Sequence, residues 1–499
     1  MMFLQFFIWG AWYVTAPNYL SKIGFTDNDF GLTYAVGPIA GMISPFFVGM
    51  IADRFFPAQV VMGVLHILGG LFMFVAANMM VSASPDPTAI NWIFLAHMLC
   101  YFPTLALSNT IAMKNIDDTE KHFPSLRVLG TIGWIFAGVF LSIRGWSTEV
   151  TMFQLTAWAS IVLGIVSFIL PHTPADTGKK PTINEILGLD SLVLLKDRAY
   201  LIFMLCSFLI CIPLSFYYQI ASRVVALFDL SQVGFLLEVK KALYLSDVIG
   251  ATMSFGQMSE IFFMLVMPLF FRKLGVKWML AVGMFSWVVR YLLFALGAPS
   301  EIFWMVFVGI LLHGICYDFF FVTGQIYTDK VAPKAIRGQA QGMLVLFTLG
   351  LGMFIGAQVA SKIKGNFTPK PEQLVAMSQD PAELERMKKQ LGNDELAAKV
   401  VADWKVIGET RIEIAKIDDQ LKSLEAESEK ANGLLETRKE LANSISGLDR
   451  SDLRSVDWNS MWMFPAIMSL AVLVLFVLVF PNKPKMQGDD ESPQQVAAS

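Results

Sequence analysis

Apolar residues fill most of the chain in stretches of about 20, and short polar connectors separate these stretches. The hydrocarbon core of a bilayer is roughly 30 Å thick, and an α-helix crosses it with about 20 mostly apolar residues. The pattern therefore predicts an all-α membrane protein with twelve transmembrane helices. They lie approximately at 3–20, 31–52, 58–80, 91–113, 124–144, 150–171, 199–222, 244–271, 276–298, 301–327, 335–363 and 459–481.

A long connector at about 172–198 leaves six predicted spans on either side of it. Two six-helix halves are typical of transporters whose substrate site lies between the halves, near the middle of the membrane. The predicted organisation is an N-terminal half, a linker, helices 7–11, a charged insertion, helix 12 and a tail. These segments cover 1–171, 172–198, 199–363, 364–457, 458–481 and 482–499 respectively.

Basic residues in the short connectors set the expected orientation, because cytoplasmic loops carry an excess of Lys and Arg. The connectors on the side of the two termini hold fifteen basic residues, and the short connectors on the other side hold five. We therefore expect both termini in the cytoplasm and residues 364–457 outside the cell. The length of that segment exempts it from the charge rule.

The charged insertion, residues 364–457, differs from the rest of the chain in composition. It holds 34 of the 79 charged side chains (38 basic and 41 acidic). Apolar residues recur at steps of three and four up to Leu424, and the pattern resumes at Leu434 after Ala431-Asn432-Gly433. This pattern predicts two amphipathic helices folded back as a hairpin between helices 11 and 12. Two roles stay open, a solvated external cap and an element that docks a partner.

The overall composition excludes several classes of protein. Hydrophobic residues make up 55% of the chain and charged residues 16%, which is too little charge for an ordinary soluble enzyme or a nucleic-acid binder. The four cysteines lie in apolar runs without paired spacing, which argues against disulfides, structural zinc and thiol catalysis. No nucleophile–base pair or metal cluster is evident, so we expect neither an enzyme nor a cofactor or metal.

Polar side chains at bilayer depth are the candidates for function, since an ionisable group there is costly unless it faces a cavity or a partner. Arg127, Thr131 and Trp134 share one face of the fifth span at positions i, i+4 and i+7. Gln257 and Glu260 share a face of the eighth span. The tenth span carries the remaining members of the set, His313, Tyr317 and Asp318.

Two interpretations of this set remain open. Arg127 could form an ion pair with Glu260 or Asp318 that only locks helices together. Alternatively, one cation facing two carboxylates, with an amide, a hydroxyl and aromatic rings nearby, could bind a polar solute and stack on a flat ring. In that case an exchange of partners by Arg127 would let a carboxylate release or capture a proton.

Two connectors combine charge with glycine at helix ends. One contains Asp53 and Arg54 after the second span, and the other runs from Asp329 to Gly342 and includes Arg337. Salt bridges at these ends could latch a gate on the cytoplasmic side. A charge cluster that only sets topology explains them equally well.

Several motifs together resemble a known family. The segment from Gly49 to Arg54 resembles the helix 2–3 loop signature of the major facilitator superfamily. Eight further stretches resemble the nucleoside:proton symporter family within it: Phe3–Trp12, Tyr101–Leu105, Ser108–Ile111, Phe123–Gly133, Leu187–Asp190, Gln257–Glu260, Tyr317–Phe320 and Arg337–Gly342. The resemblance covers 1–360 and the last helix, and the charged insertion has no counterpart in it.

The resemblance implies twelve helices, alternating access and nucleoside uptake driven by the proton gradient. It places Arg127, Thr131, Gln257, Glu260, Tyr317 and Asp318 around the substrate. This chain departs from the family pattern in that Ser215 and Tyr218 replace amide side chains on helix 7, although Gln219 is adjacent. His313 replaces a Tyr, and Trp134 replaces a Phe. These departures bear on which substrate is carried.

The hypothesis from the sequence is a proton-coupled nucleoside importer in a bacterial cytoplasmic membrane. Its partners would be a nucleoside, protons and lipid, with no nucleic acid and an unidentified partner conceivable for the insertion. Asp318 is the first candidate for the proton carrier, and Glu260 is the second. The alternatives are a symporter for another polar solute, such as a sugar or a modified nucleoside, and a membrane scaffold or receptor that acts through the insertion.

Overall fold

The computed structural model describes residues 1–47, 56–174, 189–228, 233–424 and 428–482, and within these ranges every regular element is a helix. The α-helices of the first part are α1 Met2–Gly10, α2 Ala16–Leu20, α3 Asp27–Phe47, α4 Ala58–Met80, α5 Pro87–Lys114, α6 Thr119–Arg144 and α7 Thr151–Ser167. Those that follow, up to the insertion, are α8 Arg198–Leu227, α9 Gly234–Ala242, α10 Ile249–Gly297, α11 Phe303–Leu311, α12 His313–Tyr317, α13 Thr323–Val331, α14 Arg337–Val345 and α15 Met353–Phe367.

Eight helical stretches among the described residues are long and apolar enough to cross a membrane: Ala58–Met80, Pro87–Lys114, Ser125–Arg144, Arg198–Leu227, Ile249–Gly297, Phe303–Val331, Lys334–Gln379 and Trp458–Val479. The apolar helix Thr151–Ser167 is shorter. The prediction of a multi-span helical protein is thus confirmed, whereas the number twelve stays a prediction.

Local backbone chemistry explains where long helices break. In α10, Gly275 has φ 66° and ψ −179°, a conformation open to glycine, and it separates the residues predicted as the eighth and ninth spans. The predicted first span is also not one straight helix, since a turn at residues 11–15 separates α1 from α2. Two π-helical segments, Asp318–Val322 and Leu346–Gly352, interrupt the later spans, and such segments often occur at functional sites.

Buried apolar side chains form two large clusters. One is drawn almost entirely from residues 7–163 and the other from residues 194–480. The helices of the two groups meet at the end of the molecule that holds Asp27. There the Lys364 ammonium contacts the Asp27 carboxylate, and the Gln358 amide donates to the Gly31 carbonyl at 2.7 Å. These contacts join α3 to α15.

The charged insertion folds into several helices, the longest of 28 residues, around a core of its own. The helices are α16 Pro371–Gln379, α17 Pro381–Leu391, α18 Asp394–Leu421, α19 Glu429–Ile445 and α20 Asp449–Arg454, and the last span, α21 Trp458–Val479, follows. Trp404 is fully buried among Leu374, Met387 and Ile407. The predicted break at 431–433 is wrong, because α19 runs through it, and α18 ends instead at Leu421.

Two bidentate ion pairs attach the charged insertion to the spans. Arg223 of α8 binds Asp449 at 2.8 and 2.9 Å, and Arg454 binds Glu301 at 2.7 and 3.0 Å. Both arginines are buried. The insertion is therefore fixed to α8 and to the connector between α10 and α11 by charge-assisted hydrogen bonds, which are among the stronger polar contacts in proteins.

Candidate functional site

The polar face of α6 lies against the N-terminal helix. Small residues allow this approach, since a Cβ on Gly130 would lie 2.5 Å from the ring of Phe6. The Arg127 guanidinium is 4.1 Å above the centre of the Phe6 ring, and Trp134 meets Trp9 edge to face at 5.4 Å. Thr131, between them, is partly exposed, and Arg127 is exposed. The predicted face therefore presents its cation at an accessible position.

Close packing of α10 on α12 places Glu260 beside His313. The Ser259 hydroxyl donates to the Leu311 carbonyl at 2.7 Å and accepts from the Gly314 amide at 3.0 Å. A Cβ on Gly314 would lie 2.6 Å from the Ser259 backbone, so only glycine permits this approach. As a result His313 Nε2 is 3.9 Å from a Glu260 carboxylate oxygen.

Aromatic rings surround His313. Its ring stacks on Tyr217 at 5.3 Å with an interplanar angle of 17°, and it contacts Tyr317 at 5.8 Å and Tyr218 at 6.3 Å. Tyr218 also meets Tyr13 at 5.8 Å, which joins this ring cluster to the N-terminal group of helices. The site is thus built where the two groups meet.

Asp318 is the most deeply buried carboxyl group of the candidate set. Its exposure is 0%, and neither of its oxygens has a hydrogen-bond partner among the described residues. It begins the π-helical segment Asp318–Val322. Gln257 is also buried, as is Gln219, the amide next to Tyr218 that we add to the predicted binding residues, and the Gln219 Oε1 has no partner in the described part of the chain. Buried polar groups without partners are costly, which makes these atoms candidates for a ligand or a proton.

The structure does not contain the helix-locking ion pair considered above. Within the described ranges, no carboxylate lies within 4.0 Å of Arg127, although Arg127 and Glu260 are near enough for Coulombic attraction. Arg127 is therefore available to a solute in this conformation, and Glu260 lies beside a histidine rather than an arginine.

The predicted gating residues are only partly described. Asp329 and Arg337 form an exposed ion pair at 3.6 Å. Nearby, the Gln339 amide donates to Asp190 at 3.1 Å. Asp53 and Arg54 lie outside the described residues. A latch function for these charges stays a prediction.

Sequence reasoning passed over Tyr217, and it left Arg290 outside the candidate set. Tyr217 is adjacent to Tyr218 in the chain, and its ring stacks on that of His313. Arg290 is completely buried beside Tyr217. The buried His66 differs from His313 in that both of its ring nitrogens have partners, the Ser160 hydroxyl and the Gln5 side chain.

Comparison with known proteins gives consistent matches. Residues 1–375 match the family model described as nucleoside H⁺ symporter. YegT of Escherichia coli K12, provisionally named a nucleoside transporter, is 43% identical over 366 residues, which are 71% of this chain and 81% of that protein. The nucleoside permease NupG of the same strain is 29% identical over 379 residues, 74% of this chain and 87% of NupG. A crystal structure of NupG has a TM-score of 0.69 at 24% identity, covering 97% of this chain and 98% of that one, and shares the fold.

Proposed function

The chain belongs to the nucleoside H⁺ symporter family, and on this premise we propose that it imports nucleosides together with protons by alternating access. It is a multi-pass membrane protein of a transporter family. The observation that carries the proposal is a pair of carboxyl groups where the two helix groups meet, one partly buried and one completely buried. Glu260 lies beside His313, and Asp318 is buried without a partner among the described residues.

The proposed architecture has twelve spans in two six-helix halves, with the charged insertion, including the hairpin of α18 and α19, outside the cell. Both termini then face the cytoplasm of a bacterium. With this orientation the contacts between α3 and α15 close the external side, while Arg127 is exposed near the opposite end. The described conformation suits a carrier open toward the cytoplasm.

Substrate would bind between the α6 face and the ring cluster of His313. Arg127 and Thr131 supply donors for ribose or base oxygens, and Gln257 supplies an amide. Trp134, Tyr218 and Tyr317 offer surfaces on which a flat base can stack. Such a combination of aromatic faces with a few polar groups is typical of small-molecule sites.

The proton would be carried by Asp318, with Glu260 as the second candidate. A carboxylate buried without a partner is costly, and protonation removes that cost. Glu260 can exchange His313 for Arg127 or for substrate as the halves move. The nucleoside and the proton would then stabilise the same conformations, which is the thermodynamic requirement for coupled transport.

Uptake of labelled uridine or inosine tests this function in cells that lack their own nucleoside carriers. The chain should accumulate the nucleoside, and a protonophore should collapse the gradient of substrate. Accumulation that persists with the protonophore would refute proton coupling. Absence of any nucleoside uptake from correctly inserted protein would refute the substrate class.

A second candidate is a symporter for another polar solute. The observation that favours it lies in α8, the seventh predicted span. There the Ser215 hydroxyl is directed to the Met353 and Cys211 carbonyls rather than to the site. This chain therefore offers fewer amides to a base than the family pattern does. Thermal shifts of the purified protein with a panel of nucleosides and sugars distinguish the two: stabilisation by sugars alone would favour the second candidate.

The remaining alternative is a scaffold that acts through the charged insertion. Deleting about 370–452 tests it, because the insertion has its own core and attaches to the spans through the polar pairs described above. A transporter should keep its uptake after the deletion. Loss of all function, with the spans still folded, would favour the scaffold.

A further inference from the structure

Arg290 is a buried cation with no carboxylate within 4.0 Å among the described residues. Its exposure is 0%, and its Nε donates to the Gly309 carbonyl at 3.0 Å. Its Nη1 and Nη2 have no hydrogen-bond partner in the described part of the chain. A charge at this depth is unfavourable, and it is usually found where it serves a polar pathway or a partner.

The Arg290 guanidinium instead faces an aromatic ring. Its central carbon is 4.3 Å from the centre of the Tyr217 ring, which is the geometry of a cation–π interaction. The neighbour of Tyr217 in this stack is His313, at 5.3 Å and nearly parallel. His313 Nε2 then faces Glu260 at 3.9 Å. A continuous series of contacts thus leads from Arg290 through two rings to a carboxyl group of the site.

A purely structural role explains this arrangement poorly. Arg223 is a structural arginine of this protein, and it uses both terminal nitrogens in a bidentate pair with Asp449. Arg290 holds the helices with Nε alone, and the Tyr217 hydroxyl and His313 Nδ1 beside it also lack partners among the described residues. The contacts that remain are those that orient Tyr217 and His313.

We propose that Arg290 is a positioning residue for proton coupling, which acts through Tyr217 and His313 on Glu260. The cation fixes the Tyr217 ring, the ring fixes His313, and His313 holds its Nε2 toward the carboxyl group. The other groups that act electrostatically on Glu260 or feel its charge are Arg127, Tyr218, Tyr317 and Asp318. This inference rests on the proposed function, since it concerns the coupling step of the same site.

The test compares two activities of purified full-length protein in proteoliposomes. Accumulation driven by a pH gradient requires coupling, whereas counterflow exchange of labelled uridine requires only binding and movement of the loaded carrier. Arg290→Met removes the charge at similar length, and Arg290→Lys retains it. Tyr291→Phe is the matched control, because Tyr291 follows Arg290 in the same helix. The substitution removes a buried hydroxyl that donates to the Pro213 carbonyl at 2.6 Å.

We expect Arg290→Met to lower accumulation about tenfold, the effect of roughly 1.4 kcal/mol, while counterflow changes far less. Arg290→Lys should recover part of the accumulation, and Tyr291→Phe should accumulate as the wild type does. Accumulation by Arg290→Met at the wild-type level would overturn the proposal. A parallel loss of both activities together with a lower unfolding temperature would also overturn it, in favour of a structural role.

A second variant covers the case in which Arg290→Met does not reach the membrane. Tyr217→Leu interrupts the series at its first ring and should give the same separation of the two activities. Normal accumulation by Tyr217→Leu contradicts the proposal. If the wild-type protein itself fails to accumulate nucleosides, the proposed function fails, and this outcome is distinct from a failure confined to the variants.

Discussion

Gly138 and Gly250 touch backbone to backbone where α6 crosses α10: a Cβ on Gly138 would lie 2.8 Å from the Gly250 carbonyl oxygen. One turn further along α6, the Ser142 hydroxyl donates to Asp247 at 3.1 Å and accepts from the Ala251 amide at 2.8 Å. Together with the Asp27–Lys364 pair, these contacts seal one end of the molecule between the two helix groups.

Gly250→Ala should hinder closure of this end, because the added Cβ meets backbone atoms that cannot rotate away. Overpacking of this kind costs about 1–3 kcal/mol, or roughly 5- to 150-fold in the population of the closed conformation. Uridine transport should slow, while binding measured by thermal shift should persist. Gly433→Ala is the control, since nothing lies within 4 Å of a Cβ at Gly433. Equal transport rates for the two variants would show that this crossing does not limit the cycle.

Asp318→Asn should separate exchange from accumulation. The amide is nearly isosteric with the carboxyl group, so the buried position stays filled, but it cannot take up and release a proton. We expect accumulation driven by a pH gradient to vanish while counterflow of uridine continues. Glu260→Gln is the companion variant. Normal accumulation by Asp318→Asn, with loss in Glu260→Gln, would assign the proton to Glu260.

Arg127→Gln should weaken substrate binding. A hydrogen bond to a charged group contributes about 1.5–3 kcal/mol, so KM for uridine should rise by roughly ten- to 150-fold. Arg144→Gln is a matched control on the same helix, because Arg144 lies 4.9 Å over Trp146 at the far end. An unchanged KM in Arg127→Gln would remove Arg127 from the binding site.

Asp452→Asn should destabilise the charged insertion. Burial acts to raise the pKa of Asp452, but the Arg411 guanidinium at 2.8 and 2.9 Å outweighs it, so the pKa lies below its ordinary value of 3.8. The ion pair therefore stabilises the folded insertion at pH values above the ordinary pKa of 3.8. This stabilisation is lost as the pH falls through the lower pKa of the folded state.

The expected loss at pH 7 is about 2 kcal/mol, measured as faster cleavage within the insertion by a protease. Asp419→Asn serves as the control, since its pair with Lys422 is exposed and contributes little. The difference in cleavage rate between the two variants, measured with an acid-active protease, should shrink at strongly acid pH. A difference that does not depend on pH would exclude the Arg411 pair as its source.

The polar set could be selected from the sequence because charge at bilayer depth is rare. Arg127, Glu260 and Asp318 are conspicuous in apolar helices without any knowledge of their neighbours. Their partners could not be inferred in the same way. Glu260 meets His313 because Ser259 and Gly314 let two helices approach, and this contact joins residues 53 positions apart.

Long-range contacts account for the other differences between sequence and structure. Lys364 and Asp27 are separated by 337 positions, and no periodicity connects them. Within the insertion, the Ala431-Asn432-Gly433 segment has the composition of a turn, yet the Ser428 hydroxyl caps α19 and the helix continues through the glycine. Tertiary context here outweighs the weak preference of a single glycine.

The ion pairs of Arg223 and Arg454 have a consequence for observing this protein at work. Since both attach the charged insertion to α8 and to the connector between α10 and α11, the insertion should move with that half as a rigid body during each cycle. A small rotation at the membrane would then become a larger displacement at the distal end of α18. A fluorophore placed there, paired with another on the opposite half, would report single turnovers without a label in the substrate pathway.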